Sequence, residues 1–164
     1  MAVLAKNANV ALVGTGTKIS VPCGAADIFY EGAVVWVDET SPTATVSPIT
    51  VAPATGDRIL GICARQVTTT AEGDLVDVYI DGTFAIAGMS VTRNDIGDLI
   101  VFDAGTTITD NPADAVAAGD ITTADNDAIL GVLVSYYDST AYVRLGGLTG
   151  QIKMADANAI GWEW

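Results

Sequence analysis

Few residues in this chain can do chemistry, and their spacing removes most of what they could do. The 164 residues include no histidine, so the commonest general base and metal ligand is missing. Ser/His/Asp and Cys/His nucleophilic arrangements go with it, as does histidine-ligated zinc. Cys23 and Cys63 stand far apart without metal-ligand spacing. They read as a disulfide or as two buried free thiols, and the spacing favours the thiols. The stretch GTGTKIS, Gly14 to Ser20, has the glycines and lysine of a phosphate loop. It lacks the spacer and the Gly-Lys-Ser order that wrap amides around phosphate, and a hairpin turn explains it better. Asp120, Asp125, Asn126 and Asp127 offer calcium-type oxygens but not the loop spacing or the closing glutamate. They predict a solvated acidic loop. Paired carboxylates for glycoside hydrolysis are available by count, yet the tryptophans cluster poorly as sugar platforms. The expectation is a non-enzyme with no catalytic, cofactor or metal site.

What must position these residues is a set of strands. Half the chain is apolar, aromatics are 7% and glycines number 17, a balance that suits strands and turns. A chain this long can bury roughly two thirds of its unfolded surface without staples. NVALV and KISVP flank GTGT and predict an opening hairpin. ETSPTATVSPITVAPATGD carries three prolines, which predicts an extended loop or edge strand because proline donates nothing to a ladder. DNPADAVAAGD, with Asn111 as cap, Pro112 at the first helical position and Gly119 as stop, predicts one short helix or turn.

One sentence is written twice. GAVVWVD from Gly32 aligns with GDLIVFD from Gly97, DRILG from Asp57 with DAILG from Asp127, and DVYIDG from Asp77 with YVRLGG from Tyr142. The order is the same and the shift is 65 to 70 residues. Val76, Val78 and Ile80 alternate with Asp77, Tyr79 and Asp81; Ala141, Val143 and Leu145 alternate with Tyr142, Arg144 and Gly146. A period of two sends one row to a core and the other outward. ILGICA and ILGVLV are apolar on both faces, as in a central strand covered on two sides. Gly61 and Gly131 interrupt them at equivalent points, where a bulge or close backbone approach is expected.

These signals predict an all-β fold with at most one short helix, a β-barrel or sandwich-like domain of two similar lobes. The divisions are an N-terminal arm and opening hairpin over 1–31, lobes over 32–88 and 89–147, and a C-terminal tail over 148–164.

Charge bounds the partners. The formal net charge is −13 with only seven Lys plus Arg, which disfavours nucleic acid and anionic membrane surfaces and favours solubility. No apolar run approaches the ~18 residues of a membrane helix. Lys6, Asn7 and Asn9 interrupt the N-terminal apolar stretch, unlike a signal peptide, so a soluble protein used without secretion is expected. The tail ends with Trp162 and Trp164 around Glu163. Either it folds over the chain's own core or it anchors on a neighbour, a role tryptophan favours. The candidate inter-chain contacts are Val3, Leu4, Tyr79, Tyr142, Trp162 and Trp164.

The order of glycine plus VVWVD or LIVFD, a threonine-rich stretch, ILGV and YVRLGG resembles tailed-phage capsid decoration proteins, the head-stabilising or cement family. The likeness is best over Ile96 to Gly147 and weaker over Gly32 to Gly82; the first thirty residues and the tail fall outside it. It implies a β-rich homotrimer, assembled in the host cytoplasm, on the outer surface of the virion capsid. Its partner there would be the major capsid protein, whose neighbouring copies it would clamp in the expanded head. The alternatives are another virion β-module, such as a head fibre or tail component, and a carbohydrate- or cell-surface-binding module.

Overall fold

The computed structural model describes residues 10–37, 46–48, 58–102, 116–118 and 128–145. Alternation builds its strands. In TAYVRL, Ala141, Val143 and Leu145 are buried while Arg144 is exposed, and in LVDVY, Val76 and Val78 are fully buried between more exposed neighbours. Both rows face as the period of two predicts.

Thirteen strands occur among the described residues: β1 Val10–Val13, β2 Lys18–Pro22, β3 Ile28–Phe29, β4 Val34–Val37, β5 Val46–Pro48, β6 Arg58–Cys63, β7 Val67–Thr68, β8 Leu75–Tyr79, β9 Gly82–Ala87, β10 Leu99–Phe102, β11 Val116–Ala118, β12 Ala128–Tyr137 and β13 Thr140–Leu145. One sheet has the order β1-β9-β13-β12-β10-β11, a second β2-β8-β6-β4-β5, and β3 with β7 makes a two-stranded ribbon. All pairs are antiparallel. The sheets stay open, so the fold is sandwich-like and not a closed barrel.

The internal repeat is visible in the pairing, residue by residue. Val35 opposes Gly61 and Trp36 opposes Ile59, skipping Leu60; Ile100 opposes Gly131 and Val101 opposes Ile129, skipping Leu130. Cys63 opposes Val78, and Leu133 opposes Val143. Val78 in turn opposes Ile19, and Val143 opposes Phe84. Loop bonds repeat as well: Gly32 N–H to Cys63 O and Cys63 N–H to Ala33 O match Gly97 N–H to Leu133 O and Leu133 N–H to Asp98 O. Repeat 1 therefore runs β2-β8-β6-β4-β5 and repeat 2 runs β9-β13-β12-β10-β11, with β1 added at the edge of the second.

Gly61 and Gly131 stand beside the two bulges for one reason. A Cβ on either would collide with a carbonyl oxygen on the neighbouring strand, that of Tyr79 or Arg144 respectively. Only glycine lets those backbones approach.

Several expectations change. NVALV and KISVP become β1 and β2 but do not form a hairpin: β1 pairs β9 and β2 pairs β8, in different sheets. The chain crosses between sheets at GTGT and again at Ile80–Asp81, and the two crossings are tied together. Asp81 accepts from the Thr17 N–H at 2.6 Å and hydroxyl at 2.7 Å, and Ile80 N–H donates to Thr17 O. The repeat begins at Lys18, and a cut at residue 88 would leave β9 with the first lobe, although β9 pairs β13 in the other sheet. In DNPADAVAAGD, Val116–Ala118 is strand, because β10 offers an edge there as β4 offers one to β5. The helix among the described residues is instead a 3-10 turn at Arg93–Asp95, held by a Thr92–Asp95 capping box. No described helix is long and apolar enough to cross a membrane.

The core has two parts. The larger lies between the sheets: Ala33, Val34, Ile59 and Ile62 from repeat 1 meet Phe84, Ile86, Ile100, Leu130, Leu133, Ala141, Val143 and Leu145 from repeat 2. The smaller, with Cys23, Phe29, Val35, Cys63, Val76 and Val78, lies between the opposite face of repeat 1 and the β3–β7 ribbon. Strand β6 is thus covered on both faces, as its sequence predicts. Strand β12 is covered on one: Leu130 and Leu133 are buried but Val134 is 43% exposed.

Candidate interaction surface

Three described carboxylates, Asp74, Asp77 and Asp81, hold the chain in place. Asp77 on β8 accepts from Ser20 Oγ at 2.6 Å and Arg65 Nε at 3.0 Å, with Lys18 Nζ at 3.9 Å. These partners, the serine bond first, lower its pKa. Asp74 accepts from the Thr70 and Ala71 N–H groups and the Thr70 hydroxyl, which lowers its pKa. The Thr17 bonds do the same for Asp81. Each acid closes a loop or joins two strands. No group of three metal-ligating side chains occurs among the described residues, and Asp120, Asp125, Asn126 and Asp127 lie outside them.

The cysteines are free and buried. Both belong to the smaller core, where Cys23 Sγ donates to Ala71 O at 3.3 Å and Cys63 Sγ to Arg65 O at 3.1 Å. Burial pushes the Cys63 thiol up to about 11. A thiol held protonated is a poor nucleophile. Both cysteines anchor the segment that carries β7.

What remains is a face. The outer side of repeat 2 and β1 presents Ala11 and Val13 from β1, Thr83, Ala85 and Ala87 from β9, Thr140, Tyr142 and Arg144 from β13, Val132, Ser135 and Tyr137 from β12, and Leu99 from β10. These are the side chains alternating with the buried row. Arg144 is the one charged group in these alternating rows, and exposed Asp98 adjoins Leu99, in a chain of net charge −13. Val13 is 46%, Tyr137 65% and Val134, on the β12 bulge, 43% exposed. At the end of the face, Asp138 and Ser139 take positive φ of 49° and 58° and close the β12–β13 hairpin in the twist-compatible way.

The candidate contacts divide across this picture. Tyr142 lies on the outer face, half-buried by its neighbours. Tyr79 does not: its ring meets Phe84 at a centroid distance of 5.8 Å and packs on the intersheet core. Period two put Tyr79 and Tyr142 outward alike, but the back of repeat 1 is where repeat 2 docks, so Tyr79 is spent inside the molecule. Val3, Leu4, Trp162 and Trp164 lie outside the described residues. Val13, Val132, Val134 and Tyr137 were missed. For the last three the signal available was VLVSYY in the second copy, apolar on both faces like ILGICA in the first but lacking the ribbon-forming insert that follows it.

No protein-family model matches the chain, and no curated protein and no solved structure matches it.

Proposed function

We propose that this protein is a structural virion component that decorates the outside of a phage capsid and stabilises the expanded head by clamping neighbouring major capsid proteins. The observation that carries the reading is the nearly neutral, valine- and tyrosine-bearing outer face of repeat 2 in a strongly acidic chain. Like-charged acidic surfaces repel one another; a face whose described charges, Asp98 and Arg144, are opposite in sign can approach another protein without that cost. The repeated strand sentence supports it further, through its likeness to capsid decoration proteins. Binding the expanded shell and not its precursor would stabilise the expanded state by linkage. A homotrimer would let one particle hold three seams, each contact strengthening the others.

The test is to mix the purified protein with undecorated expanded heads and image them. Ordered density at local three-folds, in hundreds of copies, is expected, and Tyr142→Asp is expected to weaken binding at least tenfold. Heads that stay bare, density at one vertex alone as for a fibre, or saturable binding to a sugar with none to heads would each overturn the reading.

A further inference from the structure

Repeat 2 buries its front, formed by Ile86, Ile100, Leu130, Leu133, Ala141 and Val143, against the back of repeat 1. The residues of repeat 1 at equivalent register are Val21, Val35, Leu60, Cys63, Val76 and Val78, and they too form a buried front. That front, however, is filled by Phe29 and Val67 of its own β3–β7 ribbon. Front-on-back packing is heterologous. A chain that used it between copies would therefore add units head to tail, into a filament or a ring.

Both ends of the two-unit stack are altered in a way that stops this. At the front of repeat 1, the ribbon is built in. Buried Thr69 accepts from Asp27 N–H at 2.8 Å, and its hydroxyl is 3.1 Å from both Ala25 O and Asp27 O, one of which takes its proton. The two cysteine thiols hold the segment at Arg65 and Ala71. At the back of repeat 2, Leu99 and Val132 keep the apolar character of Val34 and Ile62, but Ala33 and Tyr79 are replaced by the exposed Asp98 and Arg144. Repeat proteins need polar end units for the same reason.

We infer that the β3–β7 ribbon and the Asp98/Arg144 pair are end caps, and that the surface the ribbon covers is a latent docking site for the back of repeat 2 in a second copy of this chain. The occupant follows from continuity with an interface already present, since the same front and the same back meet once inside the molecule. The inference does not depend on the capsid reading.

The experiment removes both caps from the full chain. Residues 64–75 are replaced by the shorter hairpin segment 134–140, which removes β7, Phe29→Gly takes the remaining ribbon side chain off the front, and Asp98→Ala and Arg144→Tyr are added. Sedimentation velocity is expected to show assemblies that grow with concentration beyond the parent's size, and Val132→Asp in the same chain is expected to return it to that size. A folded, uncapped chain that keeps the parent's size up to millimolar concentration overturns the inference, as does growth indifferent to Val132→Asp. Should the uncapped chain fail to fold alone, it is refolded with excess chain carrying only the two back-face substitutions. Rescue as a mixed assembly is expected, because that back supplies the missing cover; no rescue overturns the inference.

Discussion

The two repeats share strand order, the bulge beside Gly61 or Gly131 and the loop bonds, yet they bury their fronts by different means. Repeat 1 follows β6 with an excursion that returns as β7 and pairs with β3. Repeat 2 has a two-residue turn at Asp138–Ser139 in its place, and a 3-10 turn where β3 would be. The consequence is economical: repeat 1 carries its own lid, and its back becomes the lid of repeat 2. The comparison teaches that a duplicated sheet does not imply duplicated surroundings. Cys63 and Leu133 are equivalent in register, but one faces a ribbon and the other a second sheet.

The largest expected effect probes what the repeats have in common. Gly61→Ala and Gly131→Ala should each cost about 3 kcal/mol or more, at or above the upper end of ordinary overpacking, because the added Cβ meets backbone on the next strand and not a side chain that can turn away. Denaturant titration of both variants checks this. A loss below 1 kcal/mol at only one site would mean that the two bulges are not equivalent in energy.

The next probes the difference. Leu133→Ala removes a fully buried side chain between the sheets and should cost about 2–5 kcal/mol. Cys63→Ala removes one sulfur at the matching position under the ribbon and should cost about 1 kcal/mol. Equal losses, measured in the same titration, would show that ribbon and sheet are equivalent covers.

The smallest concerns acid. Asp74, Asp77 and Asp81 all belong to repeat 1 or to the crossing that follows it, and all have lowered pKa values. Their folded values lie below the unfolded value of about 3.9, so their contribution is present above that pH and is lost as pH falls through the folded values. Amide exchange compared at pH 6 and pH 3 should therefore show β8 and residues 70–74 loosening before β13. Asp81→Asn should remove part of that acid dependence, and loosening that starts in β13 would contradict the assignment.

Much of this architecture was legible in the chain. The matched blocks around Gly61 and Gly131 marked the bulges, because only glycine tolerates a neighbouring backbone where a Cβ would stand. Proline 48 marked an edge strand, β5. Alternation in β8 and β13 identified the buried rows. Other features were not local. KISVP pairs with β8 and NVALV with β9, both distant in sequence, and the Thr17–Asp81 bonds hold residues equally far apart. The fate of Tyr79 and Tyr142 was equally hidden, since identical periodicity sent one into the intersheet core and the other to the surface.

The strands of the matched blocks, the alternation of their rows, the bulge glycines and the scarcity of reactive groups were determined by sequence alone, because they follow from steric limits and side-chain chemistry within a few residues. Which face of each repeat is covered, and by what, was decided only in the tertiary structure. An apolar row records that it must leave water; it carries no address for the surface that will receive it.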